Sequence, residues 1–580
     1  MDEALGPVYG ASPLAASAFL TGTNYWLESV YQTLLTDNGN ILYQNGSAIA
    51  VPDLASSWTA AANGTNYVFN LRQVSFSNGD PFNCYQVWAQ LYNVWWASGN
   101  ASNFFNGYAV FNFSKVNFGV SIIDMMNGTG IINPSGQLLT LMQNNAWPFS
   151  CPDPHTLVVN LKAPFAFTAL MFTQFAATML DSQFIINHGG YGGASSCPPC
   201  NTFWELGTTL VPGTGPYIFS QYVVNGYEKF TQNPNYWGSN LTAAQIQADP
   251  YLDPGHYKTI YVYFKTDDLV RYTDLSTGQA QVVTINSQDW PLIQQNPDKF
   301  GAFVLPNVSM IMEGVGINTL RYPTNITLIR QAMVHSINYT DFYNKVFFGE
   351  AARLVGPEYS AFSQYYDLGN LPPYDYNLTK AMADVKASGV NTANLQPLDF
   401  RIIAGCGVCI IGAQVLQSDF GAIGIPVNVE VVPPSELGFP YVAGYGPYST
   451  SLNYSQQEAH FTWMGYPSYA PNSPTPADAW LAFMQTKGVG ANYANYYNPT
   501  VQACVDAWTS TNNQTLLTNL CTAANKQIYA DAPYIWLASP KLAFADGSLA
   551  WSKSSVKSLL MDPSFTGEVT TAILNTVVPA

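Results

Sequence analysis

The chain has 580 residues, 48% of them hydrophobic and only 10% charged, with a formal net charge of −16. That length exceeds what a single hydrophobic core serves, so two or three lobes are expected. The acidic balance, without any Lys/Arg cluster or basic amphipathic helix, excludes nucleic acid as a partner and offers no membrane-surface site.

In chain order, Pro7-Val8-Tyr9 reads as an opening strand and Trp26 to Leu35 as a helix. A Pro-Asp-Leu-Ala turn (Pro52 to Ala55) and Ser56-Ser57-Trp58 follow, then the loop Asn63-Gly64-Thr65. Tyr67, Phe69 and Leu71 alternate onto one face of a half-buried strand. The turn Ser77-Asn78-Gly79-Asp80 and Pro81 lead into a helix carrying Val87, Trp88, Leu91 and Val94, and the helical stretch continues from Tyr92 to Phe105. Strands are expected at Thr156 to Leu161, Ile260 to Phe264 and Ala280 to Ile285, with a helix from Asp268 to Ser276 stopped by Gly278. Gly213-Thr214-Gly215 lacks the Lys-Ser/Thr of a phosphate loop and reads as a turn whose glycines permit positive φ. An apolar strand at Val315 to Thr319 precedes a helix with Ile329, Met333 and Ile337 on one face, and a last strand spans Ala532 to Leu537.

Eight cysteines suit disulfides, although eight allow 105 connectivities. Val501, Cys504, Val505 and Trp508 form one helical stripe, and Leu517, Leu520, Cys521 and Ala524 another. Two antiparallel helices joined by the polar turn Ser510 to Thr515 would set Cys504 against Cys521. Cys197-Pro198-Pro199-Cys200 and Cys406-Gly407-Val408-Cys409 suit either local disulfides or a zinc site. Zinc would require pairs some 200 residues apart to converge, which favours local disulfides. Cys84 and Cys151 are then left to pair with each other.

The sequons are Asn45, Asn63, Asn100, Asn112, Asn127, Asn240, Asn307, Asn325, Asn338, Asn377, Asn453 and Asn513. With the cysteines they favour an extracellular, glycosylated protein. Ordinary domains carry about 25% charged residues, so amides, hydroxyls and tyrosines must cover this surface. Such a surface keeps its character in acid, which suits an acidic medium as well as a neutral secreted protein. No apolar stretch reaches the roughly 18–20 residues that span a bilayer. The N-terminus has no signal-peptide pattern, so an export signal or membrane anchor is expected outside this sequence.

The order from Pro52 to Trp88 resembles the signature of the extracellular solute-binding proteins of the oligopeptide/dipeptide class (family 5), which serve ABC importers. Asn63-Gly64 and Asn78-Gly79 stand where that family has Asp-Gly. Gly213-Thr214-Gly215-Pro216-Tyr217, Asn233-Pro234-Asn235-Tyr236-Trp237, Ile317-Asn318-Thr319 and Ile329-Arg330-Gln331-Ala332 match further family segments, and the resemblance runs from about residue 25 to 550. It implies an α/β, two-lobed periplasmic-binding-protein-like fold (type II, cluster C) with an additional inserted subdomain. Residues 1–50, 205–305 and 536–580 would form lobe I, 51–204 the inserted subdomain and 306–535 lobe III. The implied function is an extracellular receptor, monomeric and without a cofactor, that closes by hinge motion over a short oligopeptide or oligosaccharide and delivers it to the importer's membrane subunits.

In that family a third-lobe segment reads G-W-x-x-D-Y, and its Asp receives a peptide ammonium. Here the segment is Thr462-Trp463-Met464-Gly465-Tyr466-Pro467-Ser468-Tyr469. Trp463 keeps its place, but Tyr466 falls where the Asp belongs, so a buried ammonium would need another anchor. Aromatic faces with polar rims suit sugar rings, and Met464, Gly465, Tyr469, Trp95, Trp96, Asn492 and Tyr493 are further candidates to line the cleft. Two rival classes are weaker. A glycan-acting hydrolase needs paired carboxylates that sequence does not display, and His155, His188, His256, His335 and His460 are scattered with no metal-protease or esterase motif. A structural or adhesive cell-surface role fits the sequons but leaves the signature unused.

Overall fold

The computed structural model describes residues 2–3, 29–37, 49–96, 110–191, 210–308, 313–357, 371–432, 459–464 and 492–547, apart from 166, 174–176, 224–225, 266, 285–289, 297–299 and 405. The strand expected at Pro7–Tyr9 lies outside these residues, as does the helical stretch beyond Trp96.

Strand β1 is Asp2–Glu3, and β2 (Leu35–Asp37) pairs antiparallel with β3 (Ala50–Pro52). The helix expected up to Leu35 does not form over Ser29 to Leu34. A helix would use those carbonyls for its own i+4 amides. Instead Val30 O accepts from Gly215 N, Ser29 O from Tyr217 N, Gln32 O from Met179 N and Thr33 O from Leu54 N, while Val30, Tyr31 and Leu34 are buried. Tertiary partners therefore override the local pattern. The same contact corrects the expectation for Gly213 and Gly215, neither of which has a positive φ. A Cβ at either position would collide with the carbonyls of Val30 and Ser29, so glycine is required there for close approach.

The signature builds β4 (Ala55–Ala60) and β5 (Asn66–Leu71), and the chain then enters helix α1 (Cys84–Trp96). Strands β6 (Phe149–Asp153) and β7 (Thr156–Asn160) complete an antiparallel sheet in the order β4-β5-β7-β6. Tyr67, Phe69 and Leu71 point inward as the alternation predicts. Helix α1 is buried from Cys84 to Val94, Trp88 stacks on Trp147, and the expected Cys84–Cys151 disulfide ties the helix to β6. Helix α2 (Ser182–Asn187) is capped by Asp181.

Strands β8 (Tyr217–Val223), β9 (Tyr227–Gln232) and β10 (Thr259–Phe264) form an antiparallel run, and β1 pairs parallel with β10. Helix α3 (Asp268–Thr277) ends at Gly278 in the left-handed conformation, as read from the sequence, and precedes β11 (Val282–Thr284). The chain then passes through β12 (Phe300–Val308) into β13 (Glu313–Ile317). Helices α4 (Thr327–Ser336) and α5 (Leu378–Ala387), with strand β14 (Ala351–Arg353) between them, lead to β15 (Leu398–Ile403). Helix α6 (Gly407–Gly421), β16 (Val427–Val432) and β17 (Phe461–Met464) follow. Helices α7 (Pro499–Trp508) and α8 (Gln514–Asp531) form an antiparallel pair joined by the Cys504–Cys521 disulfide, and both predicted stripes face inward.

The last strand, β18 (Tyr534–Gly547), unites the sheets. Its first half pairs with β13 and β14, and its second half with β11 and β12. Two main cores result. One fills the space around the small sheet, β8–β10 and the α7–α8 pair, where Trp508 meets Phe167 at 5.3 Å. The other lies between β13, β15 and β17 and helices α4–α6. Helix α8 touches both, because Tyr529 stacks on Tyr374 at 4.4 Å and Arg330 Nε donates to Asp531 O.

Among the described residues, several carboxyls are buried with no cation in ion-pair contact. Asp53 accepts from Gln32 Nε2, and Gln32 Oε1 accepts from Trp237 Nε1. Burial raises the Asp53 pKa well above the usual carboxylate range and Asp249 adds to the shift, although Arg72 opposes it. Burial pushes Asp249 up to about 7 and Asp181, which shares the Asn78 amide with Asp80, up to about 6. Each of these groups holds its proton in the folded state where the unfolded chain has released it, so its contribution is complete below pH ~4 and is lost as pH rises through its folded value. Buried His460, lowered to about 4, works the other way between pH 4 and its ordinary value, but it is one group against several. The melting temperature should therefore be several degrees higher at pH 5 than at pH 8, and Asp249→Asn should flatten that dependence. Melting curves across this range check both.

Candidate ligand site

Strands β15, β16 and β17 run parallel, so their carboxyl ends share one edge of the second sheet. Open α/β sheets bind ligands at that edge. Helix α6, following β15, begins there, and the N-terminal end of its dipole faces the same side. The predicted local Cys406–Cys409 disulfide closes this first turn, where Cys406 is the cap residue. Strand β13 is antiparallel to β17, with Gly314 opposite Met464, so Glu313 starts where Met464 ends.

Trp463 stands at this edge. Its Nε1 donates to Glu313 Oε2 at 2.6 Å, and its ring lies 6.4 Å from Phe400 in a stacked orientation. A Cβ at Gly412 of α6 would strike the indole, so glycine makes room for the ring. Glu313 is only 7% exposed. Burial pushes its carboxyl up to about 8, against the opposing pull of the Trp463 N–H. The sequence reading missed this residue, although a lone glutamate beside the run Gly314-Val315-Gly316-Ile317 in a charge-poor chain was a visible signal.

The other candidates divide. Met464 joins the edge through its backbone pairing with Gly314, whereas Gly465, Tyr466 and Tyr469 lie outside the described residues. Tyr493 packs its Cβ toward Gly316, on the face of β13 opposite Trp463, and Asn492 bonds both ways with the Tyr496 backbone. Both are buried. Trp95 stacks on Phe113 at 4.3 Å and Trp96 meets Phe118, so both belong to the first core and are not brought to Trp463. Cys197 and Cys200 lie outside the described residues. So do the sequons Asn45, Asn100 and Asn453. Asn338, Asn377 and Asn513 use their side-chain oxygens to cap helices, whereas Asn63, Asn127, Asn240 and Asn325 are exposed. Among the described residues no group of three or more His, Cys, Asp or Glu side chains is placed to hold a metal, and no helix is long and apolar enough to cross a membrane.

Gly412→Ala should displace the Trp463 ring and destabilise the protein by about 1–3 kcal/mol, the usual range for overpacking. Gly421→Ala, which meets nothing within 4 Å, should be close to neutral by the same denaturation measurement.

Residues 50–488 match the model of the bacterial extracellular solute-binding proteins, family 5. Di/tripeptide-binding protein 2 of Pseudomonas aeruginosa is 28% identical over 410 residues, covering 68% of this chain and 65% of the relative. The nickel-binding periplasmic protein of Escherichia coli is 25% identical over 400 residues, covering 67% and 64%. Each match thus spans slightly under two thirds of the relative's length. The periplasmic binding protein DppA of Helicobacter pylori, solved with the peptide STSA, superposes with a TM-score of 0.66 at 17% identity, covering 100% of this chain and 97% of that one. The fold is therefore the two-lobed α/β architecture of periplasmic binding proteins, and the chain belongs to the bacterial extracellular solute-binding proteins, family 5.

Proposed function

We propose that this chain is the extracellular receptor of an ABC importer, capturing a short oligopeptide between its lobes and delivering it to the membrane subunits. The observation that carries the reading is β18, one strand that pairs with the sheets on both sides and so supplies an axis about which two lobes can close. Family membership and the peptide-binding relatives support the ligand class. Lobe I would comprise 1–50, 205–305 and 536–580, the inserted subdomain 51–204 and lobe III 306–535. A membrane anchor would hold the receptor, acting as a monomer, at the cell surface.

The peptide reading is preferred to a sugar because four of the aromatic or amide side chains that suggested stacking, Trp95, Trp96, Asn492 and Tyr493, are engaged within the protein. The experiment is a thermal-shift panel of peptides of two to six residues beside malto- and cello-oligosaccharides. Ligand at 100 times its dissociation constant stabilises the native state by about 2.7 kcal/mol. Peptides should raise the melting temperature and sugars should not. A shift with sugars alone would replace the peptide reading. Trp463→Ala should weaken peptide binding at least tenfold by calorimetry, and unchanged affinity would remove Trp463 from the site.

A further inference from the structure

We propose that Glu313 receives the ligand's primary ammonium group, taking over from another strand the part that Tyr466 is unable to play. The inference rests on the peptide-receptor reading and names the residue that sets its selectivity.

Three observations place the group. Glu313 begins β13 at the sheet edge where the parallel strands end, beside Met464 and in hydrogen-bond contact with Trp463. Its carboxyl is almost fully buried. Among the described residues, the Trp463 N–H is its one donor. A neutral N–H satisfies one oxygen and leaves the other lone pairs for a partner that comes from elsewhere. Burying a carboxyl with a single neutral donor is unfavourable, and a cation that arrives with the ligand reverses the balance.

Among the described residues, the surrounding elements supply no competing charge. Strand β17 brings Phe461, Thr462 and Trp463, β18 brings Ala538 opposite Glu313, and α6 brings Gly412 beneath the indole. The cation one strand further on is Arg353, opposite Ala538 from the far side. Its guanidinium lies 3.8 Å over the Tyr339 ring and donates to Tyr374 O, so it is engaged elsewhere. At the same edge, the start of α6 favours negative charge. A carboxylate and a helix N-terminus on one edge suit a zwitterion.

The proton balance follows. At neutral pH the buried carboxyl is largely protonated in the empty site, because burial raises it to about 8. Docking of R–NH3+ forms an ammonium–carboxylate pair, and the Glu313 proton leaves to solvent. The Trp463 N–H continues to donate to the carboxylate, which it favours over the acid form.

The test is calorimetric titration at pH 7 of trialanine and of N-acetyl-trialanine into wild type and Glu313→Gln, each in two buffers of different ionisation enthalpy. Glutamine keeps an acceptor for Trp463, and melting curves verify that the variant folds. Glu313→Asp serves as a second, charge-retaining variant. Wild type should prefer the free amine at least tenfold and release close to one proton per ligand. Glu313→Gln should bind both peptides alike with no proton release, and Glu313→Asp should keep part of the preference. A Glu313→Gln protein that retains the preference, or a wild type that binds the free amine without releasing a proton, would overturn the inference and leave the receptor reading intact. Wild type binding neither peptide would remove the peptide reading and this inference together.

Discussion

The structure depends on a single strand serving two sheets. Tyr534 to Ala538 belong to the ladder that carries the candidate site, and Lys541 to Gly547 to the ladder that continues toward β8. Buried backbone groups in such a strand need partners, so main-chain hydrogen bonds tie the two sheets, beside the side-chain contacts that α8 makes with both cores. Ser539 and Pro540, which pair with β14, lie between the residues of β18 that pair with β13 and those that pair with β12.

Much of this was legible in the sequence wherever the signal was local. The alternation of Tyr67, Phe69 and Leu71, the stop at Gly278 and the stripes around Cys504 and Cys521 each specify their element from within a few residues, and each forms. The errors came where distant chain decides. Ser29 to Leu34 looks helical, but its carbonyls accept from residues 54, 179, 215 and 217. Gly213 and Gly215 looked like turn glycines, and their small size instead serves the contact with that same segment. The site was half legible. Trp463 was found by its place in a family segment, but Glu313 lies 150 residues away, and only strand pairing brings the two together.

The scarcity of charge and the burial of acids belong to one physical design. A chain with 10% charged residues has few cations with which to neutralise a carboxyl that its fold takes inside. Asp53, Asp181 and Asp249 are accordingly met by amides and backbone N–H groups. Neutral donors of this kind tolerate a protonated acid far better than an arginine would, since a guanidinium facing a neutral carboxyl loses its partner. Burial thus favours the protonated form of these carboxyls, and the fold should be strongest where the medium keeps them protonated.

Glu313 belongs to this group by burial and departs from it by position. The other buried acids lie in packed interior or at a helix cap, where amides and backbone donors surround them. Glu313 lies on a sheet edge, opposite Ala538 of the shared strand and with the Trp463 N–H on one oxygen. A cation bound there would act on a residue paired with the strand about which the proposed lobes would turn. Recognition and closure would then share backbone: Glu313 pairs with Ala538, two residues before Pro540, close to where β18 leaves one ladder for the other. A ligand that fills the edge without engaging Glu313 would leave that carboxyl neutral and unpaired, and so would contribute less to holding the closed form. Selectivity for a charged amine and commitment to closure would in this way arise from the same contact.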